Sequence, residues 1–180
     1  MKKLFYPLVA SALCMGVFTS CSDDEEVVLW DLQATTLNVV INNAAGENLL
    51  KSSTPDNLLD TKMQVVVNGE TSDIHIYENE TELWSGDRRN PYSRRYAPSY
   101  FGGYIVVDDD NPRIQVGEFD SEFDWTHDIS VIIGGKKYDM TMSHSIKWKD
   151  GKPNTATNVS YNGTKVDQIV NPTVTITLTK

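Results

Sequence analysis

Apolar residues recur at every second position through most of the chain from Thr36 onward. The clearest alternations are Leu37, Val39 and Ile41; Met63, Val65 and Val67; Ile74 and Ile76; Ile129, Val131 and Ile133; and Val174, Ile176 and Leu178. The longest run extends from Tyr138 to Trp148, with charged and hydroxyl side chains between. Because successive side chains of a β-strand point to opposite faces, this period predicts half-buried strands and not helices.

Turn signals separate these alternating segments. Asn68-Gly69, Gly134-Gly135, Asp150-Gly151 and Asn162-Gly163 supply the positive φ angles that tight hairpins require. Only Thr54 to Leu59 indicates a helix, of about one turn, with Thr54 as N-cap and Pro55 at the first helical position. We therefore predict an all-β fold, an antiparallel β-sandwich of about seven to nine strands that is immunoglobulin-like or transthyretin-like, with a barrel as the alternative closure.

The first residues have the pattern of a lipoprotein signal peptide. Lys2 and Lys3 precede a mostly apolar stretch, residues 4–18, that is short for a bilayer span, and small residues then lead into Cys21. This predicts a signal peptide over residues 1–20, acylation of the Cys21 thiol, an acidic tether over residues 21–33 and a single β-sandwich domain over residues 34–180. The alternative is a secreted protein in which Cys21 has no role.

An acidic run follows that cysteine directly: Ser22, Asp23, Asp24, Glu25 and Glu26. It resembles the export signal of surface-exposed lipoproteins of Bacteroidetes. The resemblance implies an outer-membrane lipoprotein that faces the cell exterior, with a periplasm-facing protein as the alternative. Residues 46–50, 148–154 and 161–163 are also similar to a group of small Bacteroidetes lipoproteins of unknown function, which implies a compact sandwich and no particular activity.

Charge and cysteine content restrict the partners. The chain has 25 acidic and 16 basic side chains, a formal charge of -9, and loss of Lys2 and Lys3 with the signal peptide leaves 14 basic ones and a charge of -11. We expect no nucleic-acid partner, because phosphate neutralisation needs a basic face. Cys14 lies in the signal peptide, so the mature domain is expected to fold without a disulfide.

The sequence contains no established catalytic motif. It has no Gly-x-Ser-x-Gly elbow, no His-Glu-x-x-His and no phosphate-binding glycine loop. His75 is expected at the surface, and His144, in phase with Met142 and Ile146, is expected to be a packed, hydrogen-bonded strand residue. We therefore expect a protein that is not an enzyme and carries no cofactor other than a weakly held calcium ion.

The segment from Trp84 to Tyr104 combines aromatic residues with arginines. Its candidate ligand-binding residues are Trp84, Arg88, Arg89, Tyr92, Arg94, Arg95, Tyr96 and Tyr100. Aromatic faces stack on sugar rings, and guanidinium groups bind carboxylates, sulfates or phosphates in pairs. The segment is predicted to be a long loop that captures a polysaccharide or a protein ligand; the alternative is a loop that covers an open edge of the domain.

Carboxylates recur at every second position just before the alternating segment of Ile129, Val131 and Ile133. Glu118, Asp120, Glu122 and Asp124 alternate with Phe119, Phe123 and Trp125. An extended chain would present these carboxylates on one face, where they could hold calcium weakly; the alternative is a solvated face or a set of partners for the arginines. Gly117 is predicted to mark a bulge, because the apolar phase shifts there between Val116 and Phe119.

Three classes of function remain open at this point. A non-catalytic surface binding module using the segment from Trp84 to Tyr104 is the leading one. A structural or assembly lipoprotein, pilin-like or an envelope accessory, is the alternative. The third is a polysaccharide hydrolase that acts through paired carboxylates such as Asp120 and Asp124.

Overall fold

Ten β-strands form in a computed structural model of the chain, which describes residues 34–79, 100–107, 110–166 and 171–179. The strands are β1 (Thr35–Asn43), β2 (Met63–Val67), β3 (Glu70–Tyr77), β4 (Tyr100–Val106), β5 (Ile114–Phe119), β6 (Trp125–Ile133), β7 (Lys136–Lys149), β8 (Lys152–Tyr161), β9 (Thr164–Val166) and β10 (Thr173–Leu178). The described residues contain no helix. The predicted all-β class is therefore confirmed. In these same ranges, no helix is long and apolar enough to cross a membrane.

The strands form one mixed sheet in the order β10-β1-β5-β4-β3-β2-β6-β7-β8-β9. Neighbours are antiparallel except for two parallel pairs, β1 with β10 and β3 with β4, so the expectation of a wholly antiparallel arrangement is wrong. Strand β3 changes partner along its length: residues 70–73 pair with β2 and residues 74–77 pair with β4. This strand therefore joins the two halves of the sheet.

A large hydrophobic cluster of described residues lies on the inner face of the sheet. Its members come from strands near both ends of the strand order, including Ile176 on β10, Leu37 on β1 and Met142 on β7, which are all 0% exposed. Burial of each such side chain contributes about 1.5–3 kcal/mol. Because strands so far apart in the order share one cluster, the sheet curves around a common core.

All four predicted hairpin turns form. In each, both central residues have positive φ, as in Asn68 (50°) followed by Gly69 (88°) and Asp150 (51°) followed by Gly151 (70°). These are the angles of type I′ turns, whose twist matches that of the strands they connect. Each turn fixes the register of two strands that are consecutive in the sequence. The four pairs are β2 with β3, β6 with β7, β7 with β8, and β8 with β9.

The predicted bulge at Gly117 is also present. The pairing of β5 with β1 shifts register between Val116 and Phe119, and Gly117 has φ of +69°. A Cβ atom at this position would lie 2.5 Å from Cζ of Phe119, so glycine is required both by the backbone angle and by the ring. The bulge turns Phe119 into the core, where it is fully buried.

The short helix predicted over Thr54 to Leu59 is wrong. Asp56 has φ of +55°, which interrupts a right-handed turn, and the Thr54 hydroxyl donates to the Asn48 carbonyl oxygen at 2.8 Å in place of capping a helix. The Asn48 side-chain amide in turn donates to the Pro112 carbonyl oxygen at 2.8 Å. Hydrogen bonds from side chains to backbone therefore hold this connection, and Leu50 from it is buried.

Candidate functional site

Most of the predicted functional residues lie outside the described part of the chain. These are Cys21, Ser22, Asp23, Asp24, Glu25 and Glu26 of the N-terminal region, and Trp84, Arg88, Arg89, Tyr92, Arg94, Arg95 and Tyr96 of the arginine-rich segment. The last part of that segment is described, and it is strand β4 (Tyr100–Val106), not loop. The prediction extended the loop to Tyr104 and missed this strand, although aromatic and β-branched residues follow one another there.

In the sequence, the arginine-rich segment lies between strands β3 and β4. They are parallel neighbours, with Ile74 paired to Gly103 and Tyr77 paired to Val106. The end of β3 and the beginning of β4 therefore lie at opposite ends of the pair. Gly103 permits this close pairing, because a Cβ atom there would lie 3.2 Å from Cγ1 of Ile74.

A group of aromatic and amide side chains lies on the outer face of β3, β4 and β5. We call His75, Tyr77, Tyr104 and Gln115 the tyrosine face, in which Tyr77 and Tyr104 pack against Val106. The rings of Tyr77 and Tyr104 meet edge to face with centroids 6.3 Å apart, and the Tyr104 hydroxyl donates to Oε1 of Gln115 at 3.1 Å. Val106 is only 6% exposed although it points away from the main core. The outer face therefore has an apolar centre with polar groups at its margin.

The tyrosine face has the composition of a ligand-binding surface. His75 is exposed, and its ring lies 6.4 Å from that of Tyr77. Aromatic rings offer flat apolar area, while phenol and amide groups offer hydrogen bonds, and together these are the groups that recognise sugars and peptide backbones. Tyr77 and Gln115 were not among the predicted residues. The sequence did contain a signal for Tyr77. It lies two residues after His75, which was expected at the surface, so alternation along β3 places both side chains on the outer face.

The carboxylates from Glu118 to Asp124 do not form the predicted ladder. Strand β5 ends at Phe119, residues 121–123 bend, and β6 begins at Trp125, so the stretch is not extended. Oδ1 of Asp120 accepts from the backbone N–H of Glu122 at 2.7 Å, and Trp125 donates through Nε1 to the Asp120 carbonyl oxygen. The loop therefore uses its polar groups to fix its own backbone.

The four candidate metal ligands are also not brought together. Glu118 remains on β5, where partial desolvation raises the pKa of its carboxyl although the side chain is at the surface. Asp124 accepts a hydrogen bond from the backbone N–H of Ile146 at 2.7 Å. Throughout the described ranges, no group of three or more histidine, cysteine, aspartate or glutamate side chains is placed to hold a metal ion.

Two of the histidines lie in a stack of rings beside the core. Trp125 stacks with His127 at 4.8 Å and with His144 at 5.4 Å between centroids, and Phe119 packs against Trp125 at 5.2 Å. Desolvation in this stack lowers the pKa of His127. Oδ1 of Asn68 accepts from the backbone N–H of Asp128 at 3.0 Å, so the amide presents Nδ2 to Nδ1 of His127 at 2.7 Å. Burial in the stack and the hydrogen bond that Nδ1 accepts from Nδ2 of Asn68 both favour the neutral ring of His127.

His144 has the environment predicted for a packed strand histidine. It is 4% exposed, with Nδ1 3.0 Å from the Thr157 hydroxyl and Nε2 3.2 Å from the Ser121 carbonyl oxygen. A carbonyl oxygen only accepts, so Nε2 carries a hydrogen, while Nδ1 forms a hydrogen bond with the Thr157 hydroxyl. Both ring nitrogens are therefore used to join β7 to β8 and to the loop before β6.

A shallow polar cleft of about 490 Å³ lies on the outer face of β6, β7 and β8. Within it, the Ser130 hydroxyl donates to Oδ1 of Asp139 at 2.7 Å, and Nζ of Lys137 lies 2.8 Å from the same oxygen. The hydrogen bond from Lys137, followed by that from Ser130, lowers the pKa of Asp139. An ionised carboxylate held in this way is poorly suited to act as a general base near neutral pH.

Comparison with known proteins returned no similar protein. No family model, no curated protein and no solved structure matches the chain.

Proposed function

We propose that this protein is a non-catalytic, cell-surface lipoprotein that binds a polysaccharide or a protein ligand through the segment from Trp84 to Tyr104 and the adjoining tyrosine face. The observation that carries the proposal is the cluster of Tyr77 and Tyr104 around Val106 on the outer face of the sheet. The ligand would stack on these rings and meet the arginines that the same two strands flank. Aromatic and arginine side chains supply much of the binding energy at protein interfaces.

The charge distribution supports an anionic ligand. Within a chain of formal charge -9, four arginines are concentrated between Arg88 and Arg95. Arg113 directly precedes β5, two residues before Gln115. Guanidinium groups form paired hydrogen bonds with carboxylate, sulfate or phosphate oxygens, so a uronic-acid or sulfated glycan, or an acidic peptide, fits this surface.

We further propose that the domain is a β-sandwich of two layers. One layer contains β10, β1, β5 and β4, the other contains β2, β6, β7 and β8, and β3 crosses from one layer to the other. The shared hydrophobic cluster and the change of partner along β3 support this arrangement. The tyrosine face would then lie on the outside of one layer, and the polar cleft on the outside of the other.

The binding proposal is tested with a glycan array and with extracellular-matrix proteins, using the chain in which Arg88, Arg89, Arg94 and Arg95 are replaced by glutamine. We expect loss of binding with an unchanged melting temperature, and a smaller loss for His75→Ala. A matched control replaces Lys51, Lys62, Lys136 and Lys165 by glutamine, which removes the same charge elsewhere. A melting temperature that falls sharply with the arginine substitutions would assign the segment to the fold and contradict the proposal.

Surface exposure rests on the N-terminal resemblance to Bacteroidetes lipoproteins. Its test is protease accessibility on intact cells, comparing the wild type with a variant in which Asp23, Asp24, Glu25 and Glu26 are alanine. Metabolic labelling with a palmitate analogue, with Cys21→Ser as control, tests acylation. Digestion of the wild type but not of the alanine variant supports outward display through the acidic run. Protection of both the wild type and the variant would place the domain in the periplasm.

A structural or assembly role is the second candidate, and strand β10 favours it. In the described part of the chain β10 pairs only with β1, and Thr175 and Thr177 are exposed on it. The strand has neither a charged residue nor a proline, the features that commonly protect an edge, whereas the opposite edge strand β9 is three residues long and carries Lys165.

The β10 edge is complementary to a second copy of itself. In an antiparallel pair related by a two-fold axis through Ile176, Thr175 would lie opposite Thr177 of the other copy, and Val174 opposite Leu178. Size-exclusion chromatography over a range of concentrations tests this. We expect dimers that the double substitution Thr175→Lys and Thr177→Lys abolishes and that Thr126→Lys, on an interior strand, leaves intact; a monomer at every concentration would exclude this role.

A further inference from the structure

The hairpin of β7 and β8 extends beyond its neighbouring strand. Strand β7 pairs with β6 only as far as His144, and among the described strands its last five residues, Ser145 to Lys149, pair with β8 alone. At about 3.3 Å per residue this gives an arm roughly 16 Å long. We call residues 146–153 the hairpin tip. Trp148 within it is one of the exposed large hydrophobic side chains of the described residues, at 58%.

The hairpin tip is basic on an otherwise acidic protein. Lys147, Lys149 and Lys152 are all exposed, and alternation along β7 together with the register of β8 places them on the face opposite to Trp148. None of the three forms an ion pair with another described residue. Asp150 is the one acidic residue of the tip, so these residues have a net charge of about +2 within a chain of formal charge -9.

Two of these lysines are placed where they repel each other. Lys149 and Lys152 are directly paired across the strands, on either side of the Asp150-Gly151 turn. Like charges at opposed positions destabilise a hairpin, and no described carboxylate lies within ion-pair distance of either lysine. An external anion would remove the repulsion.

We propose that the hairpin tip docks on an anionic membrane surface, with the lysines on lipid phosphates and Trp148 in the headgroup region. Tryptophan is the residue that most favours the membrane interface, because its ring is largely apolar and its N–H is polar. Lysines near such a surface each strengthen binding about fivefold. Because the lysines and Trp148 lie on opposite faces of the arm, the arm meets the headgroups end on, while the rest of the acidic domain stays in water.

The carboxylates at the base of the arm do not prevent this contact. Asp124 is tied to the arm at Ile146, three residues from Lys149. That separation is about 10 Å, which is comparable to the Debye length at physiological ionic strength, so solvent ions screen much of the repulsion at the end of the arm. Phe123, 64% exposed and adjacent to Asp124, adds a second aromatic side chain near the base.

The test is co-sedimentation with vesicles of phosphatidylcholine alone or mixed with phosphatidylglycerol. All proteins are the chain expected after signal-peptide removal, residues 21–180 with Cys21→Ser, so that neither an acyl chain nor the apolar residues 4–18 contribute to binding. Replacing Lys147, Lys149 and Lys152 by glutamine is expected to weaken binding to the anionic vesicles on the order of 100-fold, and Trp148→Ala roughly tenfold. Asp150→Asn, which keeps a residue suited to positive φ, should tighten it about fivefold.

The matched control replaces Lys51, Lys136 and Lys165 by glutamine, and it should bind as the parent chain does. Equal loss in this control and in the tip variant would show that only net charge matters and would overturn the proposal. Equal binding to the two kinds of vesicle, or none to either, would overturn it as well. So would concentration-dependent dimers lost with the tip lysines, because these would assign the lysines to carboxylates of a second copy.

Discussion

The base and the tip of the β7–β8 hairpin have the same sequence pattern but different surroundings. Along β7 every second residue from Tyr138 to Trp148 is apolar or aromatic or is His144. At the base, Met142 is 0% and His144 4% exposed, whereas Trp148 at the tip is 58% exposed. The difference arises because β6 ends its pairing at His144. Alternation therefore determines which way a side chain points, and the neighbouring strand determines whether it is buried.

The largest expected effect tests this comparison directly. Met142→Ala leaves a cavity in the core and should lower the free energy of unfolding by about 2–5 kcal/mol. Trp148→Ala, on the same strand, should change it by no more than about 1 kcal/mol, because most of that ring is already in water. Urea denaturation of both variants measures the difference. Similar losses would mean that the tip is packed against a part of the chain outside the described residues.

A smaller effect is expected at the boundary between base and tip. Asp124→Ala removes the carboxylate that accepts the hydrogen bond of the Ile146 backbone N–H, and should cost about 1 kcal/mol. Amide hydrogen exchange at Ile146 should accelerate while exchange at Met142 stays slow. Glu122→Ala removes the same charge from the same loop and serves as the control. Unchanged exchange at Ile146 would show that β8 alone holds the arm.

The smallest effect concerns pH and the base of the hairpin. Because the pKa of His127 is lowered from its usual value of 6.5, the unfolded chain binds a proton more readily than the folded one, and stability should fall as pH decreases through about 6.5. His127→Phe keeps a ring in the stack and should reduce this loss. Melting temperatures between about pH 7.5 and 5.5 provide the measurement, with His144 and His75 common to both proteins. A variant with an equally steep decline would assign the acid sensitivity to other groups.

Local chemistry predicted much of the fold. The four turns containing Asn68, Gly134, Asp150 and Asn162, and the bulge at Gly117, follow from residues that tolerate positive φ, and all five are present. The pairing of β1 with β10 was not predicted, because parallel neighbours distant in sequence leave no local signal. The helix at Thr54 was wrong because the Asn48 carbonyl oxygen, six residues away, competes for the threonine hydroxyl.

The candidate site was predictable only in part. Aromatic and arginine residues drew attention to the segment ending at Tyr104, but the tyrosine face also needs Tyr77 and Gln115, which come from strands before and after it. Which strands become neighbours depends on the whole sheet. The carboxylates from Glu118 to Asp124 misled the prediction in a different way. Their regular alternation indicated a strand, but the chain bends between β5 and β6 and no strand continues through it.

The parallel pairing of the first and last strands has a consequence for how the protein is made. Asn38 on β1 donates its backbone N–H to the Pro172 carbonyl oxygen, and its side chain donates to the carbonyl oxygen of Asn171, 133 residues later. A chain that emerges from its N-terminus exposes β1 long before β10 exists, while the hairpins formed by β6 to β9 can close as they appear. Completion of the sheet therefore waits for the last residues of the domain, and premature termination before Thr173 would leave β1 with an unpaired edge on an otherwise finished fold.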